Sequence, residues 1–125
     1  MEATILIVDD QKGVRLLLEE LFTRDMWKVY LAANGQEAVK KTAQIKPDII
    51  LMDMKMPIMN GLEAAKAILT ADKDQIIVMM TAYGEMDVVN KIIEAGVKKC
   101  IAKPFDIMLV RELMRDMVIN TKIVS

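Results

Sequence analysis

The sequence predicts an α/β fold in which helices cover both faces of a parallel β-sheet. Five short apolar runs alternate along the chain with five amphipathic stretches of helical length. Uninterrupted apolar runs are typical of strands that are buried on both faces of a parallel sheet. A strand followed by a helix, repeated five times, implies right-handed crossovers and a three-layer sandwich.

The predicted elements are bounded by residues that favour turns and helix ends. Asn34-Gly35 opens the second helix, Pro47 blocks its end, and Gly96 stands where a helix C-terminal glycine belongs. The strands are expected at residues 4–8, 28–32, 49–52, 75–80 and 99–102. The helices are expected at residues 13–23, 36–44, 62–70, 86–94 and 109–120.

The composition is typical of one globular domain in a reducing compartment. With 125 residues, 54% of them hydrophobic, the chain fits a single domain spanning 1–125 with no output domain. A net charge of -1 argues against a nucleic-acid surface, and a single cysteine excludes an intramolecular disulfide. The start lacks signal-peptide features, and no apolar run approaches the ~20 residues that span a bilayer, so we expect a cytoplasmic protein.

The chain contains no histidine. This absence removes Ser-His-Asp and Cys-His catalysis, histidine metal ligands and any role as a phosphohistidine carrier. Chemistry in this chain must therefore rest on carboxylates, hydroxyls and lysines.

Chemically active side chains stand at the carboxyl ends of the predicted strands, where ligands bind in open parallel sheets. Asp9 and Asp10 follow the first strand, Asp53 the third, Thr81 the fourth and Lys103 the fifth. If the first and third strands are neighbours, their ends lie ~5 Å apart and three carboxylates share one small volume. Their repulsion requires either a protonated member or a bound cation, and hard oxygen ligands favour Mg²⁺ over zinc.

A carboxylate is a covalent nucleophile toward phosphorus, which gives an aspartyl phosphate. Lys103 can pair its compact charge with a phosphoryl oxygen, and the Thr81 hydroxyl can donate a hydrogen bond to another. Each residue alone also has an ordinary structural explanation: Asp9 and Asp10 as a helix cap and first-turn acid, Lys103 as a solvated lysine. Their convergence at one edge of one sheet is what favours chemistry.

An ordered set of motifs resembles the receiver domains of bacterial response regulators over essentially the whole chain. The motifs are residues 5–10 (ILIVDD), 51–57 (LMDMKMP) with Asn60-Gly61, 80–82 (MTA) and 103–105 (KPF). The resemblance implies a flavodoxin-like five-stranded sheet of order 2-1-3-4-5 with five helices. It also implies a monomeric signalling protein, rather than an enzyme, that assists its own phosphorylation by a sensor histidine kinase.

The same resemblance implies a role for each matching residue. Asp53 would be the phosphoacceptor, and Thr81 and Lys103 would contact the phosphoryl group. Mg²⁺ (or Mn²⁺) would be held by Asp9, Asp10, Asp53 and the backbone carbonyl of Lys55. No organic cofactor is expected.

A narrower similarity connects the chain to the single-domain response regulators of the endospore phosphorelay. It is carried by residues 8–11 (VDDQ), 80–85 (MTAYGE) and 102–107 (AKPFDI). This resemblance implies transfer of the phosphoryl group to a histidine phosphotransferase during sporulation, with a phosphatase as a further partner. The alternative is a stand-alone, chemotaxis-like receiver that binds a target when phosphorylated. Cys100 stands where many receivers carry an aromatic switch residue, which favours the relay over a strong switch.

The first helix has more apolar residues than one face against a sheet requires, so some of them should be exposed. They either pack under a neighbouring element or dock the helices of a partner, as the resemblance implies. The predicted docking residues are Gln11, Gly13, Val14, Leu17, Leu21, Tyr83, Pro104 and Phe105.

Two other functions fit the pattern less well. A flavodoxin-like cofactor binder needs a phosphate loop rich in Ser, Thr and Gly after the first strand, whereas residues 9–12 read DDQK and would repel a flavin phosphate. A hydrolase with an aspartyl-phosphate intermediate needs a second acid to activate water and usually a substrate cap, and neither is evident.

Overall fold

A parallel sheet forms the centre of the molecule, and the computed structural model describes residues 2–82 and 86–124. The strands are β1 (Thr4–Val8), β2 (Lys28–Ala32), β3 (Ile49–Asp53), β4 (Ile76–Ala82) and β5 (Lys99–Lys103). Neighbouring strands are parallel and lie in the order β2-β1-β3-β4-β5. This arrangement confirms the predicted flavodoxin-like topology and puts the ends of β1 and β3 side by side.

A helix follows each strand. They are α1 (Lys12–Arg24), α2 (Gly35–Ile45), α3 (Gly61–Ala71), α4 (Val89–Glu94) and α5 (Ile107–Val124). All five lie where the sequence predicts a helix, with ends that differ by a few residues. Among the described helices, none is long and apolar enough to cross a membrane.

The start of the fourth helix differs from the prediction. The expected helix at 86–94 begins as a 3₁₀ turn, Met86–Val88, and only Val89–Glu94 is α-helical. Val88 precedes the α-helix without a side-chain capping bond. Consecutive β-branched residues have low helix propensity, and a valine cannot satisfy the free N–H groups of a first turn.

The sheet has two apolar faces because successive strand residues point to opposite sides. One face packs against α1 and α5, in a core that includes Ile5, Ile7, Leu51, Val78, Leu18, Phe22, Met114 and Val118. The other packs against α2, α3 and α4, in a core that includes Leu6, Val8, Ile50, Met52, Ile77, Ala38, Ala64, Ile68 and Ile92. These two cores confirm the three-layer sandwich.

Asparagine caps fix where α2 and α3 begin. The Asn34 side chain accepts a hydrogen bond from the Glu37 backbone N–H at 2.9 Å. Asn60 accepts from the Glu63 N–H at 2.8 Å, and the Glu63 carboxylate accepts from the Asn60 N–H at 3.0 Å, which completes a capping box. Both helices therefore start at the edge of the sheet where β1 and β3 end.

Two glycines hold the loop that follows β3. The Gly35 N–H donates to the Met59 carbonyl at 3.0 Å, and the Gly61 N–H donates to the Met54 carbonyl at 2.7 Å. A Cβ at Gly35 would lie 2.4 Å from the Met59 oxygen, and one at Gly61 would lie 2.5 Å from the Asp53 carbonyl oxygen. Only glycine permits such close backbone approach, so the chain beyond Asp53 is fixed at two points.

An aromatic pair anchors the turn between α1 and β2. Phe22 and Trp27 meet edge to face with ring centroids 5.4 Å apart, and both are buried. The Trp27 indole N–H donates to the Asp25 carboxylate at 3.3 Å. The pair belongs to the core between the sheet and the α1–α5 side.

Ile58 is a strained residue in the loop after β3. Its φ is 70°, in the left-handed region that β-branched residues avoid, and 74% of the residue is exposed. We expect Ile58→Gly to raise the free energy of unfolding by about 1 kcal/mol, because relief of strain exceeds the added chain entropy of glycine. Urea unfolding measures the change. Met26 is the matched control, since its φ is 68° but its side chain is not β-branched, and Met26→Gly should gain less stability. A loss of stability in Ile58→Gly would show that Ile58 is not strained.

Candidate functional site

Three carboxylates meet at the carboxyl edge of the sheet. Val8 pairs with Met52 across β1 and β3, so Asp9 and Asp10 follow directly beside Asp53, the last residue of β3. One carboxylate oxygen from each of the three acids lies within 4.8 Å of the others. Asp9 and Asp53 are buried, Asp9 completely, and Asp10 is exposed. The cluster is thus open to solvent on one side only.

Lys103 provides the positive charge of the site. It is the last residue of β5, and its Nζ lies 2.9 Å from Asp9 Oδ2 and 3.3 Å from Asp53 Oδ1. Burial works to lower the pKa of Lys103, but the hydrogen bond to Asp9 and the charges of Asp53 and Asp9 together raise that pKa. The ammonium form is therefore firmly held. The peptide bond to Pro104 that follows is cis.

One ammonium does not neutralise three carboxylates. Burial, the charge of Asp9 and, less strongly, that of Asp10 raise the pKa of Asp53 from 3.8 to about 6, although Lys103 opposes the shift. The site therefore holds excess negative charge at neutral pH. Oxygen donors with uncompensated charge are the ligand set that a hard divalent cation such as Mg²⁺ prefers, so the residues present fit this ion.

Asp9 is fixed by contacts at three of its oxygens. The Gln11 N–H donates to Asp9 Oδ1 at 2.9 Å, Lys103 binds Oδ2, and Arg15 Nη1 donates to the Asp9 backbone carbonyl at 2.6 Å. The sequence gives no signal for Arg15, which reads as a solvated helix residue until the turn before α1 is in place. Its guanidinium brings a second positive charge to the acidic turn.

A surface cleft of about 580 Å³ opens over the acids. It is lined by Asp10, Gln11, Asp53, Lys55, Met56, Pro57, Ala82 and Lys103. Three of the predicted site side chains thus face one space that is roomy enough for an anion with its waters. Lys55 is exposed at the rim, and the metal role of its backbone carbonyl stays a prediction.

Thr81 lies near the end of β4, as expected, but its hydroxyl is directed toward β5 rather than toward the cleft. It is buried, and its Oγ1 donates to the Ile101 carbonyl of β5 at 3.4 Å, a long and weak bond. Within the described residues it does not line the cleft. Contact of Thr81 with the phosphoryl group stays a prediction.

The predicted docking residues differ in exposure, and among those that the structure describes Gln11 alone lines the cleft. Gln11, Gly13 and Pro104 are exposed, and half of Leu17 is exposed. Val14, Leu21 and Phe105 are partly buried against the α1–α5 core, and Tyr83 lies outside the described residues. Leu16 and Leu17 are exposed, which agrees with the expectation that α1 has more apolar residues than it buries against the sheet.

Cys100 lies in β5, three residues before Lys103. It is half-buried and packs against the core beneath α2, α3 and α4. Burial raises the pKa of its thiol, which disfavours the reactive thiolate. The sulfur thus behaves as a small apolar group of the strand.

Comparison with known proteins gives one consistent family. The model of the response regulator receiver domain matches residues 5–115. Sporulation initiation phosphotransferase F of Bacillus subtilis is 41% identical over 115 residues, covering 92% of this chain and 93% of that protein. The chemotaxis protein CheY of Thermotoga maritima is 42% identical over 106 residues, covering 84% of this chain and 88% of that protein.

Solved structures agree with the fold. A CheY-like receiver domain protein of Methanospirillum hungatei superposes with a TM-score of 0.94 over 100% of both chains, at 22% identity. Chemotaxis protein CheY4 of Vibrio cholerae gives a TM-score of 0.83 at 29% identity, over 92% of this chain and 98% of that one. The first of these supports the architecture alone.

Proposed function

This chain belongs to the family of response regulator receiver domains, and from that premise we propose that Asp53 accepts a phosphoryl group from a sensor histidine kinase. The observation that carries the proposal is the arrangement of Asp53 within 3.3 Å of Lys103 and beside Asp9 and Asp10 at an open cleft. The protein acts as a signalling intermediate that assists its own phosphorylation.

Asp9, Asp10 and Asp53 would hold Mg²⁺ or Mn²⁺, with the Lys55 carbonyl as a further ligand. The bound ion would supply positive charge that screens the repulsion between an anionic nucleophile and an anionic phosphoryl group. The oxygen-only donor set and the excess negative charge of the cluster support this assignment.

The Asp53 carboxylate acts as the nucleophile. One of its oxygens forms a new O–P bond while the bond from phosphorus to the donor breaks, and the bonding electrons leave with the donor imidazole, which takes a proton from solvent. With a pKa of about 6, Asp53 is mostly ionised at pH 7 and needs no base. Lys103, already 3.3 Å from Asp53 Oδ1, pairs with a phosphoryl oxygen as charge moves onto it.

Acetyl phosphate tests this chemistry without a partner. Wild type incubated with acetyl phosphate and Mg²⁺ should gain one phosphoryl group by intact mass, and the gain should vanish in Asp53→Asn or with a chelator. Asp116→Asn, an exposed aspartate of α5, is the matched control and should be phosphorylated like wild type. A folded wild type that gains no mass under any condition, or an Asp53→Asn variant that gains as much as wild type, would refute the proposal.

Phosphoryl relay to a histidine phosphotransferase, as in sporulation, is the function we favour beyond this step. The similarity to the sporulation phosphotransferase over 92% of the chain supports it, as does Cys100 in place of an aromatic switch. Similar identity to chemotaxis proteins supports the second candidate, a receiver that binds a target when phosphorylated. Phosphorylated protein mixed with a sporulation-type histidine phosphotransferase separates them. Rapid loss of the phosphoryl group to the partner's histidine favours relay, whereas retention of the phosphoryl group on Asp53 favours the second.

The exposed side of α1 is the proposed docking surface for the kinase and the phosphotransferase. We expect Leu17→Ala to slow phosphoryl transfer from a partner kinase about tenfold, because half of Leu17 is exposed on α1 and an apolar anchor is lost. Phosphorylation by acetyl phosphate should stay unchanged. Ile93→Ala, an equal truncation of an exposed residue on α4, is the control; equal slowing in both variants, or with both donors, would contradict docking at α1.

A further inference from the structure

Ile58 stands at the centre of a tight turn in the loop that follows β3. The Met59 N–H donates to the Pro57 carbonyl at 2.7 Å, so the chain reverses over three residues, and the φ of Ile58 is 70°. A γ-turn whose central residue has a positive φ is a rare and strained conformation. A β-branched side chain increases the strain, because both of its Cβ substituents crowd the backbone.

Burial within the fold does not offset this strain. Ile58 is 74% exposed, whereas the next residue, Met59, packs against the core beneath α2, α3 and α4. Glycine or asparagine would adopt a positive φ here at less cost. Strained residues of this kind persist where function uses them, and the apolar side chain of Ile58 is open to contact by another molecule.

The loop holds Ile58 in a fixed place. On one side, the Gly61 N–H donates to the Met54 carbonyl at 2.7 Å. On the other, the Gly35 N–H donates to the Met59 carbonyl at 3.0 Å. A residue whose backbone is already fixed loses little conformational freedom when a partner covers it, so Ile58 is preorganised for an apolar contact.

Ile58 adjoins the cleft over the acidic cluster. Met56 and Pro57, the two residues before it, line that cleft together with Asp53. Pro57 is also exposed, so the apolar rim of the cleft continues outward to Ile58. A protein that brings a phosphoryl group to Asp53 has to cover the mouth of the cleft, whereas a small donor can enter the cleft without covering its rim.

We propose that Ile58 is an apolar anchor for the protein that donates the phosphoryl group, and that this donor has a matching apolar surface beside its phosphohistidine. The inference rests on the proposed function of Asp53 and adds a contact that a small donor does not make. A second copy of this chain cannot be the donor, because the chain contains no histidine.

A sensor histidine kinase that phosphorylates the wild type faster than acetyl phosphate does provides the test, with acetyl phosphate as the small donor. Ile58→Gly should slow transfer from the kinase about tenfold and leave phosphorylation by acetyl phosphate unchanged. The same substitution should raise the melting temperature by about 4 °C, because the strain is removed. A gain in stability together with a loss of transfer is a result that a purely structural role of Ile58 would not give.

Three further variants separate the apolar contact from other effects. Ile58→Asn relieves the strain without the added freedom of glycine, and it should slow kinase transfer as much as Ile58→Gly does. Ile58→Val keeps a β-branched apolar side chain and should stay within about twofold of the wild-type rate. Met26→Gly is the matched control: Met26 has a φ of 68° and is 75% exposed, but it lies at the opposite edge of the sheet, so kinase transfer should not change.

Kinase transfer to Ile58→Gly at the wild-type rate would overturn the inference. Equal slowing with both donors would also overturn it, because the defect would then lie in the chemistry at Asp53. Slowing in Ile58→Gly but not in Ile58→Asn would assign the effect to loop flexibility and not to an apolar contact. Failure of the proposed function is distinguishable, since the wild type would then gain no phosphoryl group from acetyl phosphate.

Discussion

Lys103→Met is expected to lower the free energy of unfolding by about 3 kcal/mol at pH 7 without a divalent cation. The ammonium is the counter-charge for buried Asp9, at 2.9 Å, and for Asp53, at 3.3 Å. Methionine keeps the apolar length of the side chain but leaves two carboxylates uncompensated in a site that water reaches on one side only. Because Lys103 lowers the pKa of Asp53, its removal lets Asp53 take up a proton at a higher pH, so the loss should shrink as pH falls toward 6.

Urea unfolding in the presence of a chelator measures this loss, and Lys99→Met is the control. Lys99 lies on the same strand but is exposed, so its replacement should change stability by less than about 0.5 kcal/mol. Equal effects of the two substitutions, or a Lys103→Met loss that persists unchanged at pH 5, would contradict the assigned role of the charge.

Asp53→Asn should have the opposite effect and stabilise the fold by about 2 to 3 kcal/mol at pH 7. Burial and the charge of Asp9 raise the pKa of Asp53 to about 6, against 3.8 for the ordinary group, so the ionised form destabilises the folded protein. Between these two values the folded state binds more protons than the unfolded state. The free energy of unfolding of the wild type therefore falls as pH rises through this window. Asparagine does not ionise, so the variant does not show this decrease.

The difference in unfolding free energy between Asp53→Asn and wild type, followed from pH 4 to pH 8 with a chelator present, tests the sign. It should be near zero at pH 4, grow up to about pH 6 and then level off. Mg²⁺ should reduce it, because a cation neutralises the same charge. A difference that is constant with pH would show that the charge of Asp53 does not destabilise the folded protein.

The positions of the residues at the carboxyl ends of the strands could be predicted from the sequence, because the sheet topology places these ends at one edge. Strand direction and the order of β1 beside β3 bring Asp9 and Asp53 together whatever their rotamers. Lys103 follows by the same logic from the end of β5, and its long side chain reaches across β4.

Side-chain direction and local helix geometry could not be predicted from strand order and strand direction. Thr81 ends the correct strand, yet its hydroxyl bonds to Ile101, a choice set by rotamer and neighbour rather than by position. The contact of Arg15 with the Asp9 carbonyl cannot be predicted from the sequence, because it depends on the turn that brings this carbonyl to the guanidinium. The 3₁₀ start before α4 depends on a missing cap at Val88, which hydrophobic periodicity does not register.

The edge-to-face pair of Phe22 and Trp27 has an optical consequence. Trp27 is the chain's one tryptophan, and it is buried on the α1–α5 side of the sheet. Its fluorescence therefore follows the loosening of that layer, while the layer formed by α2, α3 and α4 contributes far less to the emission. Comparing the tryptophan transition with far-ultraviolet circular dichroism, which samples every helix, would show whether the two layers separate from the sheet together or in sequence.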